Sequence, residues 1–343
     1  MKILYMSCHS VHEFDEVRMF HKLGYDIFSP SAYYNPQCSD YLRPGIDGLK
    51  YKQEDIENYN KLHAHNHPFP DGKDRLTKEF LKDFDVVFVM SLADRWIINQ
   101  WDVLKDKIII WRTNGQSNSV QELRMKELKK KFLNLKIARY SPTERTMENY
   151  AGEDCMIRFG KRPDEYYGWN GKNKKVITLC QDMKNRSDAC SWDIFKNIAK
   201  EFPSTLYGMS NENNEYWIGR KLQTEEMMQV LRDNKVYFYG GTKPANYTLN
   251  FIEAWMTGIP IVAIGPELGN KNGYNTYEIH NLIDNGKNGY IGNNIDELKS
   301  YIKELLENDS LCESISKNGR ESAIKYFNEY DKEKEWVEFF KTL

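Results

Sequence analysis

Residues 244–265, PANYTLNFIEAWMTGIPIVAIG, set one carboxylate in an otherwise apolar helical turn. Phe251, Ile252, Ala254, Trp255 and Met256 surround Glu253, so a plain solvent-facing position explains it poorly. The helix is expected to open near Thr248, where the first-turn N–H groups lack partners and the helix dipole is positive. The backbone at Thr248 and Leu249 would then meet an anion, and a diphosphate fits. Glu253 follows about one and a half turns later. A carboxylate there can accept two hydrogen bonds from a vicinal diol such as a ribose.

The histidines fall in two groups. His9 and His12 follow the first apolar run, and His63, His65 and His67 stand in KLHAHNHPF. The alternating spacing invites a metal. However, alternate residues share a side only in an extended strand, and no cysteine or acidic set completes a ligand cluster. A loop lining a substrate cleft, or plain surface, is the better reading, and no metal is expected. His9 and His12 stand where a doubly wound fold puts its active site, with His12 on the acceptor side.

The elements that must position these groups read as strands alternating with helices. KILYM (2–6), YDIFSP (25–30), FDVVFVM (84–90), KIIIWRT (107–113) and KIARYS (136–141) form one series. KKVITLC (174–180), STLYGM (204–209), VYFYGG (236–241) and IPIVAIG (259–265) form another. Near-continuous apolar strands suit parallel sheets covered on both faces. Helical periodicity marks 13–23, 191–201, 224–233, 248–257 and 296–308. The expectation is α/β, with two doubly wound Rossmann-like domains facing a central cleft. The boundaries are 1–160, 161–325 and a carboxy-terminal helix over 326–343, which carries Trp336, Phe339 and Phe340 on one face and packs back toward the first domain. Residues 160–175, rich in Gly, Pro and charge, read as the linker.

FIEAWMTGIPIVAIG resembles the donor domain of the retaining GT-B glycosyltransferases, which carry a Glu, seven residues and a second Glu ahead of a Gly turn and a strand. YEIHNLIDNGKNGYIG (277–292) resembles a further element of that domain. The likeness covers 174–343 and is weaker over 1–160. It implies that a nucleotide-diphosphate sugar gives its sugar to a hydroxyl acceptor with retained anomeric configuration, without a metal or other cofactor. In that family Glu253 holds the ribose. Basic side chains after the first donor-domain strand, here Lys184 and Arg186, neutralise the diphosphate, with Lys221 a weaker second cation. The first Glu of the pair falls at Ala245, so Asn246 or Tyr247 is expected to supply sugar contacts. Asn114 takes the place of a family histidine after a middle strand of the first domain. The catalytic set implied is therefore His9, Asn114 and Arg186, and the donor set is Lys184, Arg186, Tyr247, Thr248, Leu249 and Glu253. UDP-glucose is the commonest donor in the family, and a surface glycan or lipid-linked precursor the default acceptor. A DNA glucosyltransferase of phage type, a non-catalytic nucleotide-sugar binding module and a sugar-nucleotide epimerase are the alternatives.

Composition narrows these choices. The 343 residues carry a formal net charge of −2, without the basic excess that duplex nucleic acid demands. The Lys-rich stretch at 125–136 reads as a helix with an apolar stripe of Leu128, Phe132 and Leu135. The six cysteines are scattered and fit a reducing, cytoplasmic setting. No run is long enough for a membrane span, and no G-x-G-x-x-G follows the first strand, which disfavours a dinucleotide oxidoreductase.

Overall fold

Ile3, Leu4, Tyr5 and Val86 to Met90 are fully buried, because the strands that carry them lie inside a parallel sheet covered on both faces. The computed structural model describes residues 1–7, 9–30, 48–62, 76–90, 94–115, 118–211, 219–269 and 276–343. His63, His65 and His67 lie outside the described residues, as do Cys8 and Cys38. The chain divides into two units, Met1–Ile157 with Glu333–Leu343, and Arg158–Lys332.

In the first unit β1 (Lys2–Met6), β2 (Asp26–Phe28), β3 (Val86–Met90), β4 (Ile108–Arg112), β5 (Leu135–Arg139) and β6 (Cys155–Met156) form one sheet. Their order is β2-β1-β3-β4-β5-β6 and every pairing is parallel. The Ser119–Lys131 helix is capped by the Asn118 side chain, which accepts from Gln121 N. It stops before Leu133, and Leu135 already belongs to β5. Its buried stripe is therefore Met125 and Leu128 with Phe132 at the carboxyl cap, not the expected set ending at Leu135. At the chain's end Trp336 packs edge-on against Phe20, at 5.3 Å between ring centres, and beside Phe88 at 5.6 Å. Aromatic contacts of this kind bury large apolar area. Arg112, fully buried, donates from Nε to Glu16 Oε1 at 3.0 Å and from Nη1 to the carbonyls of Arg139 and Ile157. Burial raises the Glu16 carboxyl above its ordinary range, and the Arg112 charge opposes that rise.

In the second unit β7 (Asn173–Leu179), β8 (Ser204–Tyr207), β9 (Asn234–Tyr239), β10 (Ile261–Ile264) and β11 (Tyr290–Gly292) are ordered β11-β10-β9-β7-β8, again all parallel. The Leu249–Thr257 helix between β9 and β10 buries nearly its whole surface, which explains its near-unbroken apolar sequence. It ends at Gly258, whose φ of 98° is left-handed and whose N–H closes onto Ala254 O and Trp255 O. A glycine takes that conformation without the cost a side chain would add.

The stretch read as a linker begins instead as part of this unit's interior. Three cations within RFGKR (158–162) each meet a buried carboxylate: Arg158 with Glu278, Lys161 with Glu253 at 2.7 Å, and Arg162 with Glu329 at 2.5 Å. Gly160 makes the close approach possible, since a Cβ there would lie 2.7 Å from Glu329 Cα.

Candidate functional site

The strand order of both sheets reverses beside the first strand. In the first unit β2 lies on one side of β1 and β3 on the other; in the second, β8 and β9 flank β7 in the same way. Crossover connections then leave in opposite directions, opening a crevice at the strands' carboxyl ends, where open α/β sheets bind ligands. In the second unit that crevice is edged by the residues after β7, the residues after β9 and the helix that follows them.

The Leu249–Thr257 helix presents its amino end there. Thr248 is its N-cap in extended conformation, and no side chain makes a capping hydrogen bond. The Thr248 hydroxyl instead donates to Asn250 Oδ1 and lies 3.2 Å from the Tyr239 hydroxyl. The amides of its first turn thus carry the positive end of the dipole without a side-chain cap, a ready anion site. A cis peptide joins Lys243 to Pro244 just upstream.

After β7 the chain makes tight turns that carry the expected cations. Asp182 and Ser191 bracket this segment with φ of 44° and 60°, a backbone that residues with a side chain seldom adopt and that clusters at functional sites. Asp182 N donates to Met209 O at 2.9 Å, and Ser191 Oγ donates to Gly240 O at 2.7 Å, tying the segment to the ends of its neighbours. Lys184 and Arg186 are both exposed between these anchors. Arg186 donates from Nη1 to Gln181 O at 3.3 Å, which leaves most of its guanidinium donors for other partners. The fold thus brings Lys184, Arg186, Thr248 and Leu249 to the carboxyl edge of one sheet.

Glu253 is only 2% exposed, so the solvent-facing explanation is excluded. Its Oε1 accepts from Lys161 Nζ at 2.7 Å and from the Tyr166 hydroxyl at 3.1 Å. A buried carboxylate needs such partners to stay charged. Lys161, Tyr166, Arg158 and Glu278 had no place among the expected functional residues. The visible signal was the density of charge in RFGKR beside aromatic residues, and in sequence it looks like a solvated linker.

Tyr247, expected to reach a donor sugar, is 3% exposed, with its ring 5.1 Å from that of Phe327 and its hydroxyl accepting from Phe159 N at 3.3 Å. Its ring fills the unit's interior, where aromatic burial outweighs a surface role. Asn246 is likewise buried, its carbonyl accepting from Glu278 N at 3.0 Å.

In the first unit His9 caps the Ser10–Lys22 helix, its Nδ1 3.5 Å from His12 N, and the two imidazole rings lie 4.4 Å apart. Asn114 follows β4 at the same edge of the sheet, half-buried, and its Oδ1 has no hydrogen-bond partner among the described residues. Beneath it Thr113 Oγ1 donates to Glu144 Oε2 at 3.0 Å, and Arg139 binds Glu122 through two 2.7 Å contacts. Lys221 stands ahead of the Thr224–Asp233 helix. Near it a cleft of about 910 Å³, lined in part by Lys174, Lys175 and Arg220, opens at the amino end of β7. Its charges are partly spent internally: Lys172 pairs with Asp233 at 2.9 Å and Arg220 with Glu226. Among the described residues no group of His, Cys, Asp and Glu could hold a metal ion.

No family model matches the chain, and no curated protein matches it in sequence. Solved structures do match its fold. Sucrose-phosphate synthase from Thermosynechococcus elongatus superposes with a TM-score of 0.67 at 12% identity, covering 100% of this chain and 98% of that one. Anabaena HepE in complex with UDP-glucose gives 0.68 at 12% identity, with both chains covered completely. An alpha-glucosyltransferase in complex with UDP-glucose and DNA containing an abasic site gives 0.63 at 10% identity over 99% of each chain. The chain therefore has the two-domain α/β GT-B fold.

Proposed function

We propose that this protein is a glycosyltransferase that moves a sugar, glucose from UDP-glucose, to a hydroxyl acceptor. The observation that carries the proposal is the second unit's crevice: an uncapped helix start at Thr248 and Leu249, and the exposed cations Lys184 and Arg186, all at the carboxyl edge of the sheet beside its switch point. Two structures of the same fold are complexes with UDP-glucose, which supports that donor.

In this reading the helix amides and Arg186 hold the diphosphate and stabilise the charge that builds on it as the glycosidic bond breaks. Glu253, further along the same helix, accepts the ribose hydroxyls. His9 and Asn114, at the edge of the first unit's sheet, serve the acceptor or the sugar, with His12 on the acceptor side. Anomeric configuration is retained: the leaving phosphate oxygen takes the acceptor proton, so no dedicated base is needed. The diphosphate charge is met by protein groups, and the reaction runs without a metal. The acceptor is a surface glycan or lipid-linked precursor. Among the described residues no helix is long and apolar enough to cross a membrane. The free thiols of Cys155, Cys180, Cys190 and Cys312 suit a cytoplasmic setting.

A second reading, transfer to a hydroxymethylated base in DNA, is favoured by the DNA-bound structure of the same fold and opposed by the net charge of −2.

Calorimetric titration with UDP-, GDP- and ADP-glucose tests the donor site, with hydroxymethylated duplex DNA as a further titrant. Saturable binding of one nucleotide sugar, with no salt-sensitive binding of the duplex, is expected. Binding of none would sink the donor reading, and tight, salt-sensitive duplex binding would shift the acceptor to DNA.

A further inference from the structure

Glu253 is the group on which the ribose reading depends, and what surrounds it is more specific than a generic buried pair. Lys161 Nζ and the Tyr166 hydroxyl converge on the same oxygen, Oε1, at 2.7 and 3.1 Å. Two donors on one oxygen fix both the plane and the rotation of a carboxylate. The ammonium also lies 5.5 Å from the centre of the Tyr166 ring, so the two donors support each other.

Lys161 is itself held at its backbone. Its N–H donates to Phe327 O at 2.8 Å, and its carbonyl accepts from Glu329 N at 3.0 Å, a parallel bridge across Asn328. The neighbours tighten that hold, Arg162 through Glu329 and Gly160 through its close approach to the same residue. The Lys161 side chain is 1% exposed and that of Glu253 3%. A lysine charge so deeply buried requires a carboxylate beside it, and the carboxylate equally requires the lysine. The carboxylate's own helix adds a further restraint, with Thr257 Oγ1 donating to Glu253 O at 2.7 Å.

Resting on the donor-site reading above, we infer that Lys161 and Tyr166 are positioning residues for nucleotide recognition: they hold Glu253 ionised and aimed for the ribose diol. Neither touches the nucleotide in this account. A group supported in this way reorganises little when the ligand arrives, which is how a supporting shell sharpens a binding site. The consequence is specific to one part of the ligand. Loss of either support weakens recognition of the ribose hydroxyls and spares recognition of the diphosphate.

The test is a ratio of dissociation constants, for a nucleoside diphosphate and its 2′-deoxy counterpart. UDP and 2′-deoxy-UDP are the first pair, with GDP or ADP and their deoxy forms replacing them if one of those binds instead. Wild type, Glu253→Gln, Tyr166→Phe, Lys161→Arg and Lys161→Met are compared by calorimetry, with Tm recorded for each. Wild type is expected to prefer the ribonucleotide by about tenfold or more, the worth of a hydrogen bond to a charged group. Glu253→Gln loses that preference. Tyr166→Phe removes a hydroxyl and no packing, keeps the fold, and narrows the preference severalfold. Lys161→Met brings it close to one, and Lys161→Arg restores part of it.

A purely structural role would weaken both nucleotides alike and leave the ratio at its wild-type value. That result in Tyr166→Phe and Lys161→Arg, with Glu253→Gln still losing the preference, overturns the inference and leaves the donor site standing. No ribose preference in wild type, or no nucleotide binding at all, overturns both the inference and the role of Glu253 beneath it.

Discussion

Glu253 and Lys161 form a buried pair 92 residues apart in sequence, and that distance shapes any experiment on either residue. Deleting one partner strands the other charge in the interior, at a cost of about 3–5 kcal/mol. Glu253→Ala is therefore expected to lose stability of that order, read as a fall in the urea midpoint, and its loss of activity alone would not identify a ligand contact. A loss under about 1 kcal/mol would mean that the pair is far better solvated than its burial indicates. Arg186 offers the cleaner probe, because it is exposed and makes one 3.3 Å contact to a backbone carbonyl. At this scale the sequence was half legible. An acid within FIEAWM stands out because apolar neighbours leave it no surface to sit on. Lys161 does not stand out: a lysine between glycine, arginine and proline has the composition of a loop, and only tertiary structure brings it to its carboxylate. Tyr247 is illegible for the opposite reason, since a tyrosine in a ligand loop and a tyrosine in a core look alike in sequence, and this one is 3% exposed.

Among the elements, the Leu249–Thr257 helix links core to crevice: its body is buried and its amino end reaches the site. Its carboxyl end is fixed by Gly258 at φ 98°, where an added Cβ would also lie 3.1 Å from Ser316 Oγ. Gly258→Ala is expected to cost about 1–2 kcal/mol of stability, seen in urea unfolding, with nucleotide affinity of the folded protein unchanged because the amino end stays in place. Loss of affinity without loss of stability would show that the turn, not the helix start, shapes the site. The strands were readable because a strand buried on both faces must be apolar along its length, as VVFVM and IVAI are. Of the short strands, Asp26–Phe28 was legible within YDIFSP, while Cys155–Met156 and Tyr290–Gly292 were not. Two or three residues carry no period, and such strands exist only because a neighbour offers an edge. The Lys-rich helix was recognised but neither of its ends was, 119–131 in place of 125–136: Leu135 keeps helical spacing from Leu128 by coincidence while pairing with Ile109 in the sheet.

For the whole molecule, two parallel sheets with matching switch points make the GT-B fold, and both were implied by the alternation of strands and helices. The chemistry is a separate matter, because a fold shared at 10–12% identity fixes architecture and not substrate. Composition adds one constraint at this scale, since a net charge of −2 provides no long-range attraction for a polyanionic acceptor. What remains is whether the crevice beside β7 and β9 handles a nucleotide sugar. The most direct measurement is release of free nucleotide from a panel of UDP-, GDP- and ADP-sugars, with EDTA present, by wild type and Arg186→Ala. The account predicts slow, donor-selective release that EDTA leaves intact, reduced about 100-fold in Arg186→Ala at unchanged Tm. Release of no nucleotide from any donor, by a protein that also binds none of them, would contradict it.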